Sequence, residues 1–318
     1  MYGFNNIPDK TGNNVFIYYS NSGSFQTWNK PAGVSMVHFT VIGGGGGGGS
    51  GYYSSSITTL AKTGGQGGAP GGLVCGSIPA FLLPDILYLQ VGTGGVGGAG
   101  VNSPNPSTGS SGASGSISYV CLYPDVNTGS ILLQSSQTPS NGGIGGTLGS
   151  NTVTPTNPTI ADSNGLKWIP LTGNTVTQTA GGQGVSTNNA TATATYAGLL
   201  TGGGGGGGHA INGNNGGVGG PISLASLQIW KTLSVPGGVA GNVAGTINPG
   251  DGGNGYSILN PLIFCGGSGG GGTGAVNKTG GRGGNGGYGC GGGGGGYGTL
   301  ISGAGGDGGE GIIIITCS

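Results

Sequence analysis

Few side chains in this sequence are equipped for chemistry, and their spacing decides what they can do. Seven carboxylates are scattered over 318 residues, and none is paired closely enough to couple an acid with a base. Asp307 and Glu310 fall inside a glycine motif and read as turn residues on a solvated edge. Five cysteines, Cys75, Cys121, Cys265, Cys290 and Cys317, form no C-x-x-C pair, and His38 and His209 lie apart from them. Zinc-type spacing is therefore missing. The thiols read as small buried hydrophobes, with any bridging left open. The many Gly-x-Gly-x-x-Gly matches lack a following helix and a P-loop lysine, so they carry no phosphate-binding meaning. His38 alternates within a strand as a structural or surface residue, and His209, directly after Gly208, reads as a tract terminator. The expectation is a chain without catalytic residues, cofactor or metal.

Tyrosines are the more promising groups. Tyr52 and Tyr53 directly follow one glycine run, and Tyr288 and Tyr297 flank another. Rigid aromatic rings on ordered loops give contact area at low entropic cost, which would suit a sugar or a protein partner. The same placement also suits a ring packed over the end of a glycine segment as a shield. Both readings stand.

The elements that must position them are unusual. Glycine supplies 87 residues, with unbroken runs at 43–49, 202–208 and 291–296 and repeats at 92–100 and 266–272. Each glycine loses about 0.5–1 kcal/mol more backbone freedom on folding than alanine. Something specific to glycine must offset that loss. A polyproline-II helix has three residues per turn and no internal hydrogen bonds, so its N–H and C=O groups point outward. Side-chain-free helices of this kind can bond to one another on every side, replacing an apolar core by a backbone lattice. The competing reading is a flexible glycine linker, which the near-absence of charge and the apolar segments between runs oppose.

Those apolar segments alternate as strands do. Val37, Phe39 and Val41 share one face of 34–42, and Leu87, Leu89 and Val91 share one face of 86–91. Strands are also expected near 15–19 and 24–28, at 116–123 and 130–134 around a turn, and in the apolar run 311–317. Short strands with Gly/Pro-rich connections point to an all-β sandwich or jelly roll with glycine helices inserted between strands. Residues 1–318 read as one composite domain, with a Thr/Asn-rich excursion at 150–196 and a weak helical periodicity at 222–233. No sustained Gly-x-x regularity is expected.

Seven basic and seven acidic side chains cancel. A nucleic-acid binder would need a basic patch, so neither nucleic acid nor an anionic membrane is an expected partner. No basic region followed by an apolar stretch opens the chain and no segment approaches 18 apolar residues, so neither a secretory signal nor membrane insertion is expected. A neutral chain with few charges tends to self-associate. A homo-oligomer is expected, with residues 1–20 contributing to attachment or adding an edge strand.

The order of segments resembles a glycine-rich domain family of bacteriophage and algal-virus structural proteins. The matching pieces are Trp28-Asn-Lys-Pro-Ala-Gly-Val34, the strand Val41-Ile42 entering Gly43, and Leu87-Tyr-Leu-Gln-Val-Gly-Thr-Gly-Gly-Val-Gly-Gly98. Ser111-Gly-Ala-Ser-Gly115, Leu199-Leu-Thr-Gly202 and Gly303-Ala-Gly-Gly-Asp-Gly-Gly-Glu-Gly-Ile312 follow in order. In plan the chain is similar to the glycine-rich domain of anaplastic lymphoma kinase-type receptors, where a tumour-necrosis-factor-like sandwich carries glycine helices. The resemblance implies a TNF-like jelly roll with a polyglycine-II bundle and a trimeric assembly. It also implies a virion structural role of tail-fibre-tip, head-fibre or capsid-decoration type, with other virion proteins and a host receptor or glycan as partners. The alternative is an ice-binding or extracellular-matrix protein, for which the Thr/Ala stretch 190–195 speaks.

Overall fold

The structure, a computed structural model, describes residues 14–56, 60–103, 105–136, 138–148, 194–195, 200–209, 214–223, 234–259 and 262–318. Two readings fall outside these residues: the excursion at 150–196, apart from Ala194 and Thr195, and nearly all of the weak helical periodicity at 222–233.

The described chain is nearly all β. Its strands are β1 (Val15–Tyr19), β2 (Phe25–Asn29), β3 (Met36–Ile42), β4 (Leu73–Pro79), β5 (Ile86–Gln90), β6 (Tyr119–Cys121) and β7 (Ile131–Gln134). Shorter pieces follow: β8 (Ala194–Thr195), β9 (Ile222–Ser223), β10 (Ser234–Val235), β11 (Ser257–Leu259) and β12 (Leu262–Phe264), before β13 (Ile312–Cys317) closes the chain. Two four-stranded antiparallel sheets dominate, ordered β1-β13-β3-β4 and β2-β5-β6-β7.

Alternation along the strands places one face of each sheet on a shared core. Val37, Phe39 and Val41 of β3 meet Leu87 and Leu89 of β5, Trp28 of β2, Val120 of β6 and Ile313 and Ile315 of β13. Fully burying a side chain of this size stabilises by about 1.5–3 kcal/mol. Ile312 faces the other way, into a second cluster with Ile42, Leu73, Leu200, Phe264 and Cys290. The terminal isoleucine run is thus covered on both faces, as its unbroken apolar character requires, but its members do not share one core.

β1 gives part of the amino-terminal segment a place in the fold. Residues 15–19 pair with β13, with Phe16 and Tyr18 packed on the core. They form an edge strand of the sheet; residues 1–13 lie outside the described residues. β4 escaped sequence reading because Gly76 and Pro79 mask its pattern.

The glycine segments begin where strands end. Along residues 43–51 the N–H groups step through three directions. Those of 43, 46 and 49 donate to the carbonyls of 72, 69 and 66; those of 44, 47 and 50 to 116, 113 and 110; those of 45, 48 and 51 to 309, 306 and 303. All these bonds are 2.8–2.9 Å. Carbonyls of the same segment accept from 95 and 98, from 143 and 146, and from 292 and 295. Six neighbours therefore surround it, three running parallel and three antiparallel.

Segments 290–298 and 266–273 are surrounded in the same way. The described segments stack in three layers. One layer holds 141–147, 64–72, 201–208 and 216–220; the middle layer holds 109–116, 43–52, 290–298, 266–273 and 236–241; the third holds 92–100, 303–310, 280–288 and 250–257. Each central residue makes about one bond through its N–H, worth ~0.5–1.5 kcal/mol net. That is comparable to the ~0.5–1 kcal/mol that glycine loses beyond alanine, so paired backbone groups offset the penalty particular to glycine.

Composition follows position in the stack. Central segments are almost pure glycine, because a side chain would enter the neighbouring backbone: a Cβ on Gly48 would lie 2.0 Å from the Gly293 oxygen. Segments of the third layer have one open side and carry a non-glycine residue at every third place: Thr93, Val96 and Ala99; Ala304, Asp307 and Glu310; Arg282, Asn285 and Tyr288; Asp251, Asn254 and Ser257. A triplet regularity does exist, in short stretches that the uninterrupted runs conceal in the sequence.

Candidate functional site

Three of the four tyrosines expected as contact residues are enclosed. Tyr52, Tyr53 and Tyr297 are buried in this fold. Tyr297 ends a central segment, and its hydroxyl donates to the Ser54 carbonyl at 3.4 Å. The Lys62 ammonium lies 5.6 Å above its ring and His209 stacks on it at 5.9 Å. His209 closes the 202–208 run: its N–H donates to the Lys62 carbonyl and its own carbonyl accepts from the Lys62 N–H. Burial lowers the pKa of both Lys62 and His209. Tyr288 sits at the opposite end, half-buried against Tyr19 and Phe264 where the sheets meet the lattice. The four tyrosines are thus split between two ends of the lattice and make no common surface.

Other described histidine, cysteine and carboxylate groups are held by near neighbours or by burial. His38 Nδ1 pairs with the Ser77 hydroxyl at 2.6 Å across adjacent strands. All five cysteines are free thiols. Burial pushes Cys121 up to about 12 and Cys265 up to about 11, and raises Cys290 further still. A thiol held protonated is a poor nucleophile. Asp307, Glu310 and Asp251 accept from the N–H groups of Gly97, Gly94 and Arg282, so these carboxylates cap the open side of the third layer. Among the described residues no group of three or more His, Cys, Asp or Glu is arranged to hold a metal ion, and no helix is long and apolar enough to cross a membrane.

What the lattice does present is a set of loops at the end remote from the sheets. Residues 242–249, 273–279 and 298–302 link neighbouring segments there. Their conformations are locked by side chains bonding to nearby backbone, the usual role of Asn and Thr in tight turns. The Asn242 carboxamide accepts from the Ile247 N–H at 2.9 Å and donates to the Thr246 hydroxyl at 2.6 Å. The Thr299 hydroxyl donates to the Ala275 carbonyl and accepts from the Lys278 N–H, both at 2.9 Å. Lys278 Nζ donates to Asn248 at 2.7 Å, joining the first loop to the second. Gly245 and Asn277 take left-handed backbone angles, φ +70° and +56°, which tighten the two turns.

On this locked frame Val243, Ile247, Val276 and Leu300 each stand about half exposed. Sequence reading missed them. Val243, Ile247 and Val276 stand among turn-formers and Leu300 beside Ile301 in a short loop, and a solitary exposed apolar side chain is ordinary on any surface. Only the convergence of three loops makes them a group. No family model matches the chain, and no curated protein matches it.

Proposed function

We propose that the chain is a virion structural protein of the fibre-tip, head-fibre or capsid-decoration type, acting as a rigid spacer that presents its remote loops to a host receptor, a glycan or a neighbouring virion protein. In this reading the two packed sheets are a TNF-like jelly roll, and the glycine segments are polyglycine-II helices. The three-residue step of their hydrogen bonds supports that assignment, since it is the repeat of a polyproline-II helix. The observation that carries the functional reading is the display of Val243, Ile247, Val276 and Leu300 on side-chain-locked loops at the end of the lattice. Rigid apolar groups held clear of a scaffold bind without much ordering cost. Near-zero net charge and the order of the family-like segments support a self-associating component, with a trimer the expected assembly.

The ice-binding alternative is less well supported. The Thr/Ala stretch that favours it lies almost wholly outside the described residues, and the open side of the third layer carries Asp251, Arg282, Asp307 and Glu310. The deciding experiment is a mass-spectrometric inventory of purified particles, joined to an adsorption assay with the recombinant protein as competitor. The expected result is recovery of the chain in particles and slower adsorption, relieved by Ile247→Asp with Val276→Asp. Absence from particles, or thermal hysteresis in the purified protein, would overturn the reading.

A further inference from the structure

The sides of the lattice are finished in different ways. On the third layer, side chains close the outward N–H groups: Asp251, Asn254 and Ser257 accept from residues 282, 285 and 288, Asn285 from 307, and Asp307 and Glu310 from 97 and 94. The margin formed by residues 236–241 has no such closure among the described residues. There the N–H and C=O of Gly237 and Ala240 and the N–H of Val239 have no partner among the described residues. Val239 is 60% exposed, and the half-exposed Val243 and Ile247 continue the apolar strip beyond it.

No Lys, Arg, Asp or Glu occurs from residue 234 to residue 249. An open, uncharged, apolar edge is the condition that makes an edge strand a template for another chain. Neutrality also matters for the identity of the partner. When a margin meets itself across a twofold axis, every charge faces its own copy, and this margin has none to repel. The lattice accepts neighbours of either direction, since the 43–52 segment has three of each. A twofold pair needs each copy to donate and to accept, and antiparallel pairs of that reciprocal kind occur at the segment ends, between Tyr53 and Ser107 and between Lys62 and His209. The open N–H and C=O of Gly237 and Ala240 supply both halves of such a pair.

We propose that the 236–241 margin is a self-association surface on which a second copy of this chain docks through the same margin by twofold symmetry. The inference rests on the self-association part of the function proposed above and adds the surface. Six residues at ~3.1 Å each span ~19 Å, so even with the strip to Ile247 the contact covers only a few hundred Å² per copy. A standard interface has about 800 Å² per partner. The pair is accordingly weak, forming where copies are concentrated or already held together by another contact.

The test is cysteine cross-linking. Ala240→Cys protein, checked for an unchanged melting temperature, is oxidised with copper–phenanthroline over a hundredfold range of concentration, beside Ser114→Cys on the opposite margin. The expected product is a covalent dimer bridged 240 to 240, rising with concentration and reduced several-fold by Val239→Asp in the same background. Bridging through position 114, or none through 240 at the highest concentration, overturns the assignment. Light scattering separates the two levels. Oligomers without a 240 bridge sink the margin alone, whereas a monomer throughout sinks self-association as well.

Discussion

Replacing Gly48 by alanine adds one methyl group at the centre of the lattice and so measures what the lattice is worth. The new Cβ would sit 2.0 Å from the oxygen and 2.5 Å from the carbonyl carbon of Gly293. Even a close C–H···O contact keeps carbon and oxygen about 3.3–3.6 Å apart. Segments 43–52 and 290–298 would have to separate by about 1.3 Å. The bonds between them, from the N–H groups of Gly292 and Gly295 to the carbonyls of Gly46 and Gly49, are 3.0 and 2.9 Å and cannot stretch that far. Overpacking of this kind costs about 1–3 kcal/mol, and each buried group left unpaired about 1–3 kcal/mol. Against this, alanine restricts the unfolded chain and returns about 0.4–1 kcal/mol. The net expectation is a loss of about 2–5 kcal/mol. Denaturant unfolding of Gly48→Ala should be read beside Gly129→Ala, where an added Cβ meets nothing within 4 Å and φ is ordinary. That control should be neutral or slightly stabilising. Gly48→Ala unfolding at the wild-type midpoint, or no earlier than the control, would refute the packing argument.

Phe39 is enclosed between the two sheets, with Trp28 6.3 Å away ring to ring, so Phe39→Ala should cost about 3–5 kcal/mol in denaturant unfolding; a loss below 1 kcal/mol would contradict the shared core. Burial of His209, which stacks on the Tyr297 ring, and the nearby Lys62 ammonium lower its folded pKa, against the opposing effect of the Nε2 bond to the Asn214 carbonyl. The folded state then binds the proton less readily than the unfolded chain, and stability present above about pH 6.5 is lost progressively as pH falls. Melting temperatures from pH 7 to pH 5 should fall more steeply for the wild type than for His209→Gln, and equal slopes would exclude the effect. The Lys30 ammonium donates to the carbonyls of Ala80 and Leu83 at 3.2 and 2.7 Å, holding the turn that leaves Phe81 83% exposed. Lys30→Met should cost about 1.5–3 kcal/mol through those bonds, whereas Asp85→Asn should cost under about 1 kcal/mol because the Asp85 side chain is 92% exposed; the reverse order in thermal unfolding would contradict this.

Much of the architecture is legible from local pattern. The alternation in 34–42 and 86–91 names the inward residues of β3 and β5 correctly, and the uninterrupted runs mark segments that are closed in by their neighbours. Two things are not legible. A glycine run says that neighbours exist but not which ones, since every run has the same three-residue bonding pattern; only the connecting strands fix the stack. The fate of Tyr52, Tyr53 and Tyr297 depends on Ser54, Lys62 and His209 arriving from other segments, and no spacing around a tyrosine records that. The remote loops were missed for a related reason. Val243, Val276 and Leu300 are far apart in sequence, and the loops that carry them are joined only once the lattice has formed.

A domain whose interior is backbone should respond to temperature unlike one filled with hydrocarbon. Exposing apolar surface raises the heat capacity by about 0.45 cal/mol/K per Å², while exposing polar surface lowers it by about 0.26. Unfolding of the glycine segments uncovers mostly amide groups, so their contribution offsets that of the two sheets. The heat-capacity increment per residue should fall below the usual ~12–15 cal/mol/K, giving a flatter stability curve. Such a chain loses less of its stability on cooling than a protein held together by hydrocarbon alone, and its lattice keeps its stiffness across a wide span of ambient temperature.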